Sequence, residues 1–300
     1  MKKYLSILFA AATAAALAIS CSEKEDDNGG KIDADDPASV KTENLIAYFP
    51  LESEAKTIES GKGITYSAKA GAASFTKGVR GNCYQNSSND ANTLSYLDFA
   101  LAADNQLKSM TSFTISAWIK VGFEFDTAPA IISLNGGDPG MGSICLFLDG
   151  AHDANGLGLK YYLFNTSTNW KGQDIQVTNE AFTPNRWLHI VYSYDESDSK
   201  IKFYADGEFI GDSVRYADGD PDGPEGPVEQ PLLGKLSLGQ DSSHLYFGAW
   251  WNNLDGSGDE WRRSYPGLLD EVRIWNVALT DAEVESLYEK EVIKADGLTM

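Results

Sequence analysis

From Asn44 to about Lys290 one pattern recurs, with apolar residues at every second position, and that period restricts the chain to few folds. It is cleanest in SFTISAWIKV. There Phe113, Ile115, Ala117, Ile119 and Val121 fall on one side, and Thr114, Ser116, Trp118 and Lys120 on the other. Side chains alternate faces along a β-strand, so this run describes a strand with one buried face. Similar runs follow in LIAYFPL, Leu94–Phe99, Ala130–Leu134, Ser143–Leu148, Leu157–Asn165 and WLHIVYSYD. In KIKFYADGEFIGD, Asp206-Gly207 separates two strand patterns and suits a type I′ turn, whose central residues both take positive φ. A helical pattern of useful length comes only at the end. There TDAEVESLYEK opens on Thr280 with Glu283 at capping-box spacing. Many short strands, Gly-rich turns and one short C-terminal helix predict an all-β antiparallel sandwich in a single domain.

The stretch Leu245–Trp275 holds four of the seven tryptophans. It reads as a β-hairpin: Leu245, Phe247 and Ala249 alternate with Tyr246, Gly248 and Trp250, a polar tip follows, and LLDEVRIW returns.

Charge narrows the function classes. With 24 Lys and Arg against 44 Asp and Glu, the net charge is −20. An acidic surface repels nucleic acid and anionic headgroups, which argues against DNA or RNA as a partner. Three cysteines are too few for a disulfide scaffold and have no metal-binding spacing. Cys83 and Cys145 are left with two readings, a disulfide or two buried thiols.

The N-terminus carries a targeting signal. Lys2 and Lys3 precede an apolar, Ala-rich run from Tyr4 to Leu17, too short to span a bilayer stably and suited to a cleaved export signal over residues 1–20. Leu17-Ala18-Ile19-Ser20-Cys21 resembles the bacterial lipobox, which implies lipidation of Cys21. Residues 21–43 contain few apolar groups and read as a disordered acidic tether. The Ser22–Asp27 run resembles the surface-export signal of Bacteroidetes-type lipoproteins, implying the outer face of the outer membrane. The folded domain is expected over residues 44–290, with a tail over 291–300.

AYFPLES, SFTISAWIK, RWLHIVYSYD with KFYADGEFIG, and above all YPGLLDEVRIWNVALTDAEVESLYE resemble the laminin-G-like, concanavalin A-like jelly roll. The resemblance covers most of Asn44–Lys290 and implies two packed antiparallel sheets. That fold hosts both glycan binders and hydrolases. It also implies a structural Ca2+ held by Asp270 together with a carboxylate after the first strand. That second position falls on Glu52, where relatives usually carry Asp.

Little in the sequence speaks for catalysis. The Glu-x-Asp-x-x-Glu run of concanavalin A-like glycosidases does not occur, and Asp270 and Glu271, being adjacent, should point to opposite faces of one strand. His189 alternates with Trp187 and Val191 and reads as a satisfied core histidine, while His152 and His244 read as loop residues. Asp218–Glu229 fits the EF-hand spacing, but three prolines and missing flanking helices argue for a solvated acidic loop.

Sugars present flat C–H faces ringed by hydroxyls, so a binder offers aromatic planes beside amide and charged groups. The expected ligand-binding residues are Trp250, Trp251, Asn252, Asn253, Asp255, Trp261 and Arg262, with Trp170 from another loop. Trp118, Trp187 and Trp275 lie in strand patterns and read as core. The alternative for the cluster is a loop that folds back on its own aromatics. The functional expectation is non-catalytic glycan binding by a lipid-anchored surface protein, with a polysaccharide and neighbouring glycan-uptake proteins as partners. A protein-binding or adhesion module and a glycoside hydrolase with dispersed carboxylates are the other readings.

Overall fold

The computed structural model describes residues 36–88, 90–121, 127–149, 158–177, 185–217 and 230–295. These contain sixteen strands. The first eight are β1 (Leu45–Phe49), β2 (Ile64–Gly71), β3 (Ala73–Lys77), β4 (Asn82–Asn86), β5 (Ser95–Leu101), β6 (Phe113–Lys120), β7 (Ala128–Asp138) and β8 (Gly142–Leu148). Then come β9 (Leu159–Asn165), β10 (Trp170–Val177), β11 (Leu188–Asp195), β12 (Lys200–Ala205), β13 (Glu208–Val214), β14 (His244–Phe247), β15 (Arg262–Ser264) and β16 (Leu268–Trp275), and helix α1 (Asp281–Lys294). Sheet I runs β13-β12-β11-β6-β16-β4-β3, with β1 also on β16, and sheet II runs β10-β9-β8-β7-β14-β5-β2, with β15 beside β7. All pairings are antiparallel except β15 with β7.

The alternation in β6 is borne out, but its other face is buried too, with Thr114 and Ser116 fully buried and Trp118 stacked on Tyr288 of α1. Phe113, Ile115, Ala117, Ile119 and Val121 all enter the core between the sheets. At its centre Phe49 of sheet I meets Phe99 and Phe247 of sheet II edge-on, with ring centroids 5.0 and 4.9 Å apart. Each such pair adds roughly 0.5–1.5 kcal/mol beyond its buried area. The Asp206-Gly207 turn has φ of 48° and 81°, as a type I′ turn requires. Both capping-box bonds form, Glu283 N to Thr280 Oγ1 and Thr280 N to Glu283 Oε2. Helix α1 lays Val284 and Leu287 against Val191, Tyr204 and Trp275, covering the outer face of sheet I.

Two expectations need correction. Leu245–Trp275 is not a hairpin, because β14 pairs with β5 and β7 in sheet II whereas β16 pairs with β1, β4 and β6 in sheet I. The domain also extends beyond 44–290. Val40 is buried and its carbonyl accepts from Trp275 Nε1 at 2.9 Å, while at the other end α1 runs to Lys294 with Glu291 buried. Strands β2 and β3 come from the stretch between β1 and Gly81, which the period-two runs did not cover. Cys83 and Cys145 are both free and buried, which decides between their two readings.

Candidate functional site

The loop carrying most of the predicted ligand residues is closed at its base where Tyr265 N donates to Gly248 O at 2.8 Å. Inside it the residues take separate tasks. Trp250 is 1% exposed, packs on Phe147 of the outer face of sheet II, and donates from Nε1 to Ala128 O at 2.6 Å. Asn252 donates to Gly140 O, and Asn253 bridges the loop, donating to Arg262 O and accepting from Gly258 N, both at 2.7 Å. Asp255 is exposed and accepts from Ser257 N and Oγ, which holds its carboxyl below the usual range. Trp251 is half-buried against Gly142. The loop therefore does fold back on much of its aromatic surface, but not on all of it.

Trp261 is the exception, 40% exposed. Its ring meets Trp250 edge-on at 5.3 Å, and the Arg262 guanidinium lies 4.5 Å from its centroid. Arg262 is fixed in turn by Asp259 Oδ2 at 2.9 Å and by Trp250 at 5.7 Å. This clamp stiffens an aromatic plane that stays open to solvent. Arg262 also lines a polar cleft of about 250 Å³, together with Asn92, Asn253, Arg263 and Ser264, with Leu94 at its wall. Arg263 donates from Nε to Asn92 Oδ1 at 2.8 Å, tying the loop to the turn before β5. Asn92, placed by an Asp90-centred turn, was missed in the sequence; the NDAN run preceding a strand was the available signal.

Trp170 does not join this site. It packs against the inter-sheet core and under Arg215, whereas Trp250 lies in the cluster on the outer face of the same sheet. A larger cleft of about 390 Å³ opens where α1 starts, but its lysines are already paired, Lys200 with Asp212 and Lys202 with Asp281.

A profile of the concanavalin A-like lectin/glucanases superfamily matches residues 95–285. The chain belongs to that superfamily. Comparison with curated proteins finds no match. Among solved structures, the ligand binding domain of botulinum neurotoxin serotype D, in complex with N-acetylneuraminic acid, aligns with a TM-score of 0.54 at 13% identity. The alignment covers 84% of this chain and 52% of that one. The binding domain of botulinum neurotoxin DC, in complex with rat synaptotagmin II, gives 0.53 at 12% identity over 84% of this chain and 52% of that one. The binding domain of Paraclostridial mosquitocidal protein 1 gives 0.50 at 17%, over 82% and 52%. At these identities the likeness is one of fold, and the chain spans about half the length of those domains.

This concanavalin A-like chain uses the carboxylates of β16 differently from the sequence expectation. A β-bulge lies between Asp270 and Arg273, with Glu271 at φ 50°, so strict alternation fails there. Both carboxylates are buried, and both are committed. Asp270 Oδ2 accepts from Val79 N at 2.8 Å and Arg80 N at 3.2 Å, and its Oδ1 from Glu271 N at 2.9 Å. Burial and the neighbouring Glu271 push the Asp270 carboxyl up, and the three N–H donors pull against them. Glu271 accepts from Tyr48 OH at 2.8 Å and pairs with Arg273 at 2.7 Å, and Arg273 also pairs with Glu291 of α1.

These residues do not fit a Ca2+ shared by Asp270 and Glu52. Glu52 Oε2 accepts from Asn82 N at 2.8 Å, so both carboxylates meet the positive ends of backbone N–H groups in the 78–82 loop. A hard cation needs six to eight oxygens around it. A Cβ on Gly78 would come 2.3 Å from Asp270 Oδ2, and one on Gly81 2.3 Å from Glu52 Oε1. The loop backbone thus fills the space beside each carboxylate. Among the described residues no group of three or more His, Cys, Asp and Glu could hold a metal.

The histidines also differ from expectation. His189 is fully buried as expected of core, stacked near Trp118 and Tyr288, but neither ring nitrogen has a hydrogen-bond partner in the described structure. His244 opens strand β14, and its Nδ1 lies 2.6 Å from Asp98 Oδ1. The EF-hand-like run Asp218–Glu229 and His152 fall outside the described residues.

Proposed function

We propose that this chain is a non-catalytic glycan-binding module, exported and held at the outer face of the outer membrane through a lipid on Cys21. The observation that carries the binding reading is Trp261. It is a large apolar plane, 40% exposed and locked by Arg262, and Arg262 in turn lines a polar cleft with amide and guanidinium donors. A sugar ring needs both elements, a stacking plane and converging hydrogen-bond groups. The superfamily, and a structural neighbour solved with N-acetylneuraminic acid, support the same class of ligand. A partner of the same kind as rat synaptotagmin II, solved on another neighbour, supports a protein ligand as the second reading. The membrane reading rests on the Lys2-Lys3, apolar and Cys21 signals of the sequence, and neighbouring glycan-uptake proteins are its natural partners.

Affinity electrophoresis over a polysaccharide panel tests the reading. Wild type should be retarded by at least one glycan, and Trp261→Ala should migrate freely. No retardation on any glycan, with capture of a protein from surface extracts, would move the assignment to the second reading. Reducing-sugar release from a retained glycan would overturn the non-catalytic part.

A further inference from the structure

We infer that the glycan site continues past the cleft along β5, where Tyr96, Asp98, His244 and Tyr246 form a second subsite, and that the site takes an uncharged chain of several sugar rings. This rests on the glycan reading above and deepens it.

The continuity is set by the strand. Leu94 lines the cleft, and β5 starts one residue later. Its burial alternates: Ser95, Leu97, Phe99 and Leu101 are buried, while Tyr96, Asp98 and Ala100 stay partly open on the opposite face. A strand advances about 3.3 Å per residue, so Leu94 to Ala100 covers ~20 Å, more than one sugar ring fills. On the neighbouring strand, Tyr246 stands opposite Asp98 and His244 opposite Ala100.

The chemistry of this strip is that of a sugar contact. The His244 and Tyr246 rings lie nearly parallel, 12° apart in plane, and Tyr96 meets Tyr246 edge-on at 5.9 Å. Asp98 sits among them. Its Oδ1 takes the 2.6 Å contact with His244, and Oδ2 is uncommitted among the described residues. The His244 side chain is 34% exposed and that of Asp98 18%. Asp98 stands opposite Tyr246 and shares a face of β5 with Tyr96, and burial, then this carboxylate, raise both phenols. A carboxylate with an open oxygen accepts sugar hydroxyls, a phenol and an imidazole nitrogen exchange hydrogen bonds with them, and the partly open rings of Tyr96 and His244 meet C–H groups, with the buried Tyr246 ring supporting His244 from behind.

Charge decides the ligand class. Arg262 is already neutralised by Asp259, and Arg263 is bonded to Asn92 with Asp90 electrostatically near. The second subsite adds the carboxylate of Asp98, and the whole chain carries −20. A sulfated or carboxylated sugar would meet one guanidinium without an ion pair, that of Arg263, and would otherwise enter against the field of the protein.

The test is calorimetric titration of the full chain with neutral oligosaccharide ladders, from disaccharide to hexasaccharide, of β-glucan, α-glucan, mannan and xylan. Matched ladders of pectin and alginate serve as the charged set. On a neutral ladder, affinity should rise more than tenfold from disaccharide to tetrasaccharide and change little with added NaCl. Tyr96→Ala and Asp98→Asn should abolish that rise. Trp261→Ala should weaken every length. The inference is overturned if the variants keep the full length dependence, or if acidic ladders bind more tightly and lose affinity with salt. Failure of every ladder with wild type would sink the glycan reading itself, and this inference with it.

Discussion

Replacing Asp270 by Ala tests whether this carboxylate organises backbone or binds a cation. The substitution removes the acceptor for three N–H groups, those of Val79, Arg80 and Glu271. Arg80 N is only partly buried and can turn to water, so two donors are left stranded in a site where Asp270 itself has no exposure. Each stranded buried donor costs about 1–3 kcal/mol, giving roughly 2–6 kcal/mol in total. The loss is offset by relief of a buried charge, since burial and Glu271 already work against ionisation of Asp270. A net loss of about 3 kcal/mol follows, and for a domain of this size each kcal/mol lowers Tm by about 2–4 °C. Asp270→Ala should therefore melt about 6–12 °C below wild type, and Asp270→Asn, which keeps one acceptor oxygen for Val79 and Arg80, about half as far below. Circular dichroism melts with a urea series as cross-check give the numbers, each repeated in EDTA. If Asp270→Ala melts within a degree of wild type, the donors have other partners and the reasoning fails. If instead EDTA alone destabilises wild type as much as the substitution does, a divalent cation organises this loop.

Three further outcomes follow from the same structure. Trp250→Ala empties a buried site and frees Ala128 O, so it should cost about 3–5 kcal/mol in urea unfolding, while Trp261→Ala should leave stability nearly unchanged and remove glycan retardation. Burial holds His189 at about 3 against its ordinary 6.5, so between these values the unfolded chain binds the proton more tightly. The His189 contribution to stability should thus be complete above about pH 6.5 and be lost as pH drops toward 3, with His189→Leu flattening that acid limb. Burial lifts Glu291 from 4.5 to about 8 against the pull of Arg273, so here the folded chain holds the proton more tightly. That contribution is present below 4.5 and lost as pH rises to 8, so wild-type Tm should decline from pH 6.5 to 8 and Glu291→Gln should stay level.

Which parts of this molecule can be read in advance follows from the range of the interactions that fix them. The buried face of β6, the Asp206-Gly207 turn and the Thr280 cap are set within a few residues, and each is legible because period, turn chemistry and cap spacing are local. The route from β14 to β16 is not. Two alternating runs joined by a polar loop look the same whether they pair or part to different sheets. What separates them is Ser264 N on Ala91 O and the register of β15 with Ala128–Ala130, contacts made far along the chain. The bulge at Glu271 is equally silent, since a non-glycine residue at φ 50° gives no compositional sign. The same reasoning explains the candidate site. Trp250 and Trp261 are one residue type in one loop, and nothing local says which ring packs inward. Ala128, 122 residues earlier, takes the indole nitrogen of Trp250, so that ring is spent on the sheet. Arg262 stacks on Trp261 and leaves it 40% exposed, so only there does an aromatic of this loop keep a broad face for a ligand. Composition can therefore supply the chemistry of such a site, but the long-range bonds that consume some of its members decide which residues remain to perform it.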